Sequence, residues 1–147
     1  MATIRRGVSE DSAAVFQLAR QFQTGRVAIN IDEFQIAFEN VLRHRDQETN
    51  VLYVVEDDDK KIVGYSLMSV SRLLHASGLT AFLQEIVVDE KARTRGLGSA
   101  LVDANESYCI ARGVRQLSMA TARTGEFYHR LGYKVVGEYF RKVLPLG

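Results

Sequence analysis

Apolar positions along this chain recur with two periods, and the switches between them predict its elements. Val15, Leu18, Ala19 and Phe22 fall on one helical stripe. Ser9 is suited to cap that helix, and Glu10 and Asp11 suit its first turn, where carboxylates meet the positive end of the helix dipole. Thr24-Gly25 predicts its end. Asn30 followed by Glu33 has the form of a capping box, and Phe34, Phe38, Val41 and Leu42 supply the stripe of a second helix. The period then shortens. Val51–Val55 and Ile62–Met68 are rich in β-branched and aromatic residues and are joined by the acidic turn Asp57–Asp59, so they read as an antiparallel hairpin. Both are apolar on both faces, as in a covered sheet. Thr80–Val88 is a further strand. Leu97, Leu101, Ala104 and Tyr108 return to helical spacing, and Gly113 ends that helix. A short strand at Gln116–Met119 follows, then a brief helix around Gly125–Leu131 stopped by Gly132. Tyr133–Val136 and Tyr139–Val143 read as closing strands, and Thr3–Arg5 as an opening one. The order predicts an α/β fold of the α+β type: a mixed, mostly antiparallel sheet of six to seven strands flanked by four helices.

The bulk numbers narrow the partners. The chain has 147 residues, 46% hydrophobic and 25% charged, with a net charge of +1. Residues 1–147 are expected to form one domain. A near-neutral balance exerts no long-range pull on nucleic acid or an anionic membrane, so neither is an expected partner. Cys109 is the single cysteine, which rules out a disulfide within the chain and suits a reducing compartment. The first residues carry no apolar run of signal-peptide length, and no run reaches the roughly 20 apolar residues of a membrane span. A cytoplasmic location is the expectation. His44, His75 and His129 lack metal-ligand spacing, so no metal is expected. Cys109 has no histidine partner in the pattern and reads as a small buried side chain.

The chemistry concentrates between Phe82 and Leu101. An apolar strand runs into a loop bearing Lys91, Arg93 and Arg95, punctuated by Gly96 and Gly98, and that loop runs directly into a helix. Glycines let a backbone come close to a ligand. The first N–H groups of a helix have no intrahelical acceptor and point at whatever sits before them. A phosphate or diphosphate is the natural occupant. The dinucleotide-binding pattern fails because Leu101 stands where a small residue is needed, and the Gly-Lys-Ser/Thr of the P-loop is absent. Glu85 lies between apolar neighbours. In a regular strand Leu83, Glu85 and Val87 would share one face, whereas a bulge would re-aim them. Glu85 reads either as a general base near neutral pH or as a half-exposed glutamate on a sheet surface.

Arg93-Thr-Arg-Gly96-Leu-Gly98 resembles the (Gln/Arg)-x-x-Gly-x-(Gly/Ala) signature of the GNAT superfamily of acyl-CoA-dependent N-acyltransferases. Phe127-Tyr128-His-Arg-Leu-Gly132-Tyr133 is similar to its second motif, an aromatic-tyrosine pair shortly before a Gly-aromatic pair. The element order agrees as well. The resemblance implies that acetyl-CoA is the cosubstrate. Its diphosphate would rest on the amides of Arg95, Gly96, Leu97, Gly98 and Ser99, with Arg93 and Thr94 in the same loop. Its pantetheine arm would lie along Ile86, Val87 and Val88, where this strand splays from Gln116–Met119. The resemblance assigns Glu85 as general base, directly or through water, and Tyr128 as the acid that protonates the leaving thiolate. The alternative for Tyr128 is an aromatic packed under the sheet beside Phe127. The chain departs from the family at 120–125, where an asparagine is common; Thr121 or Arg123 would have to replace its contact to the cofactor arm. The implied reaction is acetyl transfer to a primary amine by direct attack, with a small molecule as the default acceptor. A protein or peptide amine as acceptor and a non-catalytic acyl-CoA sensor are the alternatives, and a homodimer is an open expectation. Residues 25–30 and 71–78 are the segments expected to choose the acceptor; Phe34, Phe38, Tyr139 and Phe140 read either as its pocket border or as core.

Overall fold

The structure, a computed structural model, describes residues 1–22, 28–43, 49–121 and 125–145. Among these, strand β1 (Thr3–Arg6) is followed by helices α1 (Ser12–Ala19) and α2 (Ile31–Arg43), and then by strands β2 (Asn50–Glu56), β3 (Ile62–Arg72) and β4 (Leu79–Val88). A 3₁₀ segment, Glu90–Arg95, leads into α3 (Leu97–Arg112), β5 (Val114–Met119) and the short α4 (Glu126–Arg130). The strands form one five-stranded sheet in the order β1-β2-β3-β4-β5. All neighbours are antiparallel except β4 and β5, which are parallel and joined by a crossover through α3.

Local chemistry explains the helix boundaries. Asn30 Oδ1 accepts from the N–H groups of Asp32 and Glu33 at 2.8 and 3.1 Å and opens α2. Ser9 does not cap α1. It lies in a 3₁₀ turn, Ser9–Asp11, and no side chain caps α1; the Asp11 carboxylate instead accepts the Val8 N–H at 2.9 Å and is gripped by Arg5 at 2.8 and 2.9 Å. Burial alone would raise the Asp11 pKa; the Arg5 hydrogen bonds and the Val8 amide outweigh it and hold the carboxyl below its usual range. The predicted end of the first helix at Thr24-Gly25 lies outside the described residues. At eight residues α1 is too short to persist alone. It is held by burying Val15, Leu18 and Ala19 against Leu52, Val54, Tyr65 and Val87.

The two sheet faces are covered separately. Helices α1 and α2 pack on one. On the other, Val102 and Cys109 of α3 meet Val51, Met68, Val70, Ala81 and Leu83. Cys109 is buried, with its Sγ 3.6 Å from Met68 Sδ. No helix among the described residues is long and apolar enough to cross a membrane.

The predicted count of six to seven strands is corrected to five among the described residues. Tyr133–Val136 and Tyr139–Val143 have the composition of strands but pair with no strand of the sheet. A strand exists only through a neighbour's edge, and composition cannot supply that neighbour.

Candidate active site

The pairing of β4 with β5 begins at Leu79 and stops at Leu83, opposite Met119. Beyond it β4 continues to Val88, paired on the β3 side only. The sheet therefore opens at Gln84, and the β4 backbone from Gln84 to Val88 has an edge with no strand partner among the described residues. An extended chain can add to such an edge by backbone hydrogen bonds. Ile86, Val87 and Val88 all lie on this stretch.

A bulge sits at the same place. Met68 of β3 opposes Leu83 and Leu67 opposes Glu85, so Gln84 is the extra residue on β4. Opposed residues share a face. Leu83 thus points into the α3 layer, while Glu85 and Val87 point toward α1 and α2. The regular-strand expectation that Leu83, Glu85 and Val87 share one face is overturned by this extra residue. Glu85 is half-buried. Its Oε1 accepts the Tyr65 hydroxyl at 2.6 Å. Burial, and then the adjacent Glu85 carboxylate, push the Tyr65 phenol well above its ordinary value, so it stays a donor and fixes the carboxylate. Sequence reading missed Tyr65. The signal available was a phenol within an otherwise apolar strand, where a buried hydroxyl needs an acceptor.

Past Val88 the chain turns into the glycine loop. Asp89 Oδ1 accepts the Lys91 N–H at 3.1 Å, and Arg93 Nε donates to the Val88 carbonyl at 3.1 Å. Arg93 thereby braces the loop to the end of β4. Gly96 has φ +70°, the left-handed region that disfavours other residues, and turns the chain into α3. No side chain caps α3, and its first internal bond runs from Ala100 N–H to Gly96 O at 3.1 Å. The amides of Leu97, Gly98 and Ser99 are left facing outward from the helix start. Leu97 itself is buried with Leu101 beneath the loop. Arg95 and Thr94 contribute backbone here; their side chains lie outside the described structure. A methyl on Gly98 would meet Phe127 Cζ of α4 at 3.4 Å, so the two sequence motifs touch.

Tyr128 packs on the α3 side among the aromatics of that layer. Its ring meets Phe127 edge-on at 5.0 Å and Tyr133 at 6.0 Å. Burial raises its pKa, which keeps the phenol protonated through the physiological range. Glu85 and Tyr128 thus belong to opposite faces of the sheet. His129 is exposed, as its position beside Tyr128 on a helix predicts. Thr121 lies two residues past the end of β5 and is exposed. Arg123 lies outside the described residues.

On the Glu85 side a cleft of about 400 Å³ lies between the sheet and the two N-terminal helices. Phe34, Phe38, Leu52 and Leu67 give it apolar walls, Tyr65 and Glu85 form a polar end, and Ala28, Ile29, Asn30 and Glu33 complete the lining on the helix side. Phe34 and Phe38 are therefore both core and cleft wall, their rings stacked at 5.6 Å. Of the 25–30 segment, residues 25–27 lie outside the described structure. Tyr139 and Phe140 do not line the cleft, and residues 73–78 form a mostly exposed loop after β3. No group of three or more His, Cys, Asp or Glu side chains that could hold a metal is gathered among the described residues.

A family model described as an acetyltransferase (GNAT) domain matches residues 48–135. A search of curated proteins finds no match. Among solved structures, a transcriptional regulator from Bacillus halodurans C-125 superposes with a TM-score of 0.85 at 21% identity, covering 98% of this chain and 100% of that one. Glucosamine-6-phosphate N-acetyltransferase from Arabidopsis thaliana gives 0.83 at 20% identity, with 99% of each chain covered. An acetyltransferase from Trypanosoma brucei gives 0.80 at 19%, covering 98% and 100%. At these identities the likeness is one of fold.

Proposed function

The chain belongs to the GNAT acetyltransferase family, and from that premise we propose that it moves the acetyl group of acetyl-CoA to the primary amine of a small molecule with an apolar body. The observation that carries this reading is the coincidence at Gln84: pairing with β5 ends there, and the bulge there turns Glu85 into the cleft. The fit to the cosubstrate rests on two features of the chain. The open amides of Leu97, Gly98 and Ser99 suit a diphosphate, and the unpaired edge from Gln84 to Val88 suits an amide-bearing arm. Acetyl-CoA supplies the activated acyl group as a thioester.

In the proposed reaction the amine nitrogen bonds to the acyl carbon and the carbon–sulfur bond breaks. Glu85, held by Tyr65, takes the amine proton, directly or through one water. A strand N–H near Ile86 or Val87 holds the developing oxyanion, and Tyr128 gives its proton to the sulfur. Holding amine and thioester together supplies much of the rate. The cleft argues for the acceptor class. Its described lining is mainly apolar, with two carboxylates and no lysine, arginine or histidine. That combination suits an ammonium group on an alkyl or aryl body and disfavours a phosphorylated one.

The test is release of free coenzyme A thiol with a panel of amines. Arylalkyl and alkyl amines should turn over faster than amino-sugar phosphates, and Glu85→Gln should lower kcat at neutral pH while leaving coenzyme A affinity nearly intact. Binding of acetyl-CoA with no thiol release from any amine would replace this reading with the sensor.

A further inference from the structure

The cleft beside Glu85 carries a second carboxylate that the proposed reaction does not use. Glu33 lines it from the first turn of α2, and Glu85 lines it from β4. The two are held differently. Glu85 is half-buried and accepts the Tyr65 hydroxyl at 2.6 Å. Glu33 is exposed, and its carboxylate forms no ion pair among the described residues. Glu33 thus stands on the solvent side of the cleft and Glu85 on the sheet side. Apart from these two, the only polar side chains in the described lining are Asn30 and Tyr65. Tyr65 is committed to Glu85, and Asn30 Oδ1 to the N–H groups of Asp32 and Glu33.

Helix α2 does not need an acid at position 33. Asn30 caps it, and Asp32 brings a negative charge to the same first turn without lining the cleft. What sets Glu33 apart from Asp32 is the space it faces. That space is about 400 Å³, within the roughly 300–1,000 Å³ of small-molecule sites. A monoamine filling it would answer Glu85 and leave Glu33 to water. A molecule with a cation at each end of an apolar body would answer both carboxylates and the walls together.

We propose that the acceptor is a diamine, two ammonium groups on one apolar spacer, with the reacting nitrogen at Glu85 and the distant one held by Glu33. This rests on the acetyl-transfer reading above and adds the residue that selects the acceptor. The transfer itself is unchanged. The nitrogen at Glu85 bonds to the acyl carbon and gives up a proton, the carbon–sulfur bond breaks, and the sulfur leaves as the thiol. The product has a neutral amide at one end and an ammonium at the other. To react again it has to turn round, which places the amide at Glu33 and removes the charge that Glu33 holds. Transfer should therefore stop at one acetyl group per diamine.

The test compares α,ω-diaminoalkanes from propane to octane with the monoamines of the same chain length, using thiol release from acetyl-CoA. The best diamine should exceed its monoamine in kcat/KM by about fivefold, the upper end for one exposed charge pair, with a maximum at one spacer length. Mass spectrometry should find the singly acetylated product. Glu33→Gln should lower the diamine-to-monoamine ratio about fivefold, chiefly through KM, and Asp32→Asn should leave the ratio as in wild type. Equal kcat/KM for diamine and monoamine, an unchanged ratio in Glu33→Gln, or an equal loss in Asp32→Asn would each overturn the assignment. Calorimetric titration of the same amines into the protein with coenzyme A bound reads the preference without catalysis. A diamine preference with no thiol release would thus sink acetyl transfer alone, and thiol release with equal binding of both amines would sink the diamine alone.

Discussion

Gly98→Ala separates two reasons for a glycine at the start of α3. Gly98 is not in a left-handed conformation, and an added Cβ would meet only Phe127 Cζ at 3.4 Å and Cε1 at 3.7 Å, which is ordinary contact. The fold therefore tolerates alanine there. Alanine is favoured over glycine in a helix by roughly 0.5–1 kcal/mol, so the variant should gain stability and its Tm should rise by about 2–4 °C per kcal/mol. Gly96 is the contrast: its φ of +70° makes any side chain strained, and Gly96→Ala should lose about 1 kcal/mol. The signature that this loop matches admits glycine or alanine at position 98, so a methyl there should leave the open amides and coenzyme A affinity nearly unchanged while stability rises. Gly96→Ala, by straining the turn that aims those amides, should weaken binding: one charge-assisted bond lost removes about 1.5–3 kcal/mol, so affinity should fall at least tenfold. Differential scanning calorimetry and isothermal titration with coenzyme A measure both effects on the same samples. A folded Gly96→Ala protein that binds coenzyme A as well as wild type would refute the diphosphate assignment.

Three further predictions follow from the site and the network beside it. Tyr65→Phe should lower kcat about 10-fold or more by freeing Glu85, consistent with loss of a hydrogen bond to a charged group. Added to Glu85→Gln it should change little, since Tyr65 acts through Glu85; full additivity in steady-state kinetics would show that it does not. Tyr128→Phe should slow acetyl transfer with little change in Tm, whereas a large Tm loss would assign Tyr128 to packing instead. For Asp11 the folded pKa is depressed, so its pairing stabilises the fold above the unfolded value of about 3.9 and the contribution fades as pH falls toward the lower folded value. Asp11→Asn should cost about 1–2 kcal/mol at pH 7, reduced by the partial exposure of Arg5, and the gap to wild type in chemical denaturation should close below about pH 4. A gap that is constant with pH would refute the pairing.

The elements that could be read directly are those built from near neighbours. The α3 stripe of Leu97 and Leu101, its stop at Gly113 and the cap at Asn30 rest on bonds spanning a few residues, so the local string contains their determinants. The glycine loop belongs to the same class, because a left-handed Gly96 followed by uncapped amides is a property of consecutive residues. What Glu85 faces was not legible. Its direction depends on one extra residue at Gln84, and that residue is extra only relative to β3, some sixteen positions upstream of β4 in register. Tyr65 became a partner of Glu85 through the same cross-strand register, and the closing segments of the tail lie outside the sheet although their composition suits strands. Hydrophobic periodicity, caps and motif spacing thus determined the elements and the anion loop. Pairing between distant segments decided which face receives the carboxylate, where the sheet opens and which strands find a neighbour, because a strand's hydrogen bonds, unlike a helix's, are made to residues that local sequence does not specify.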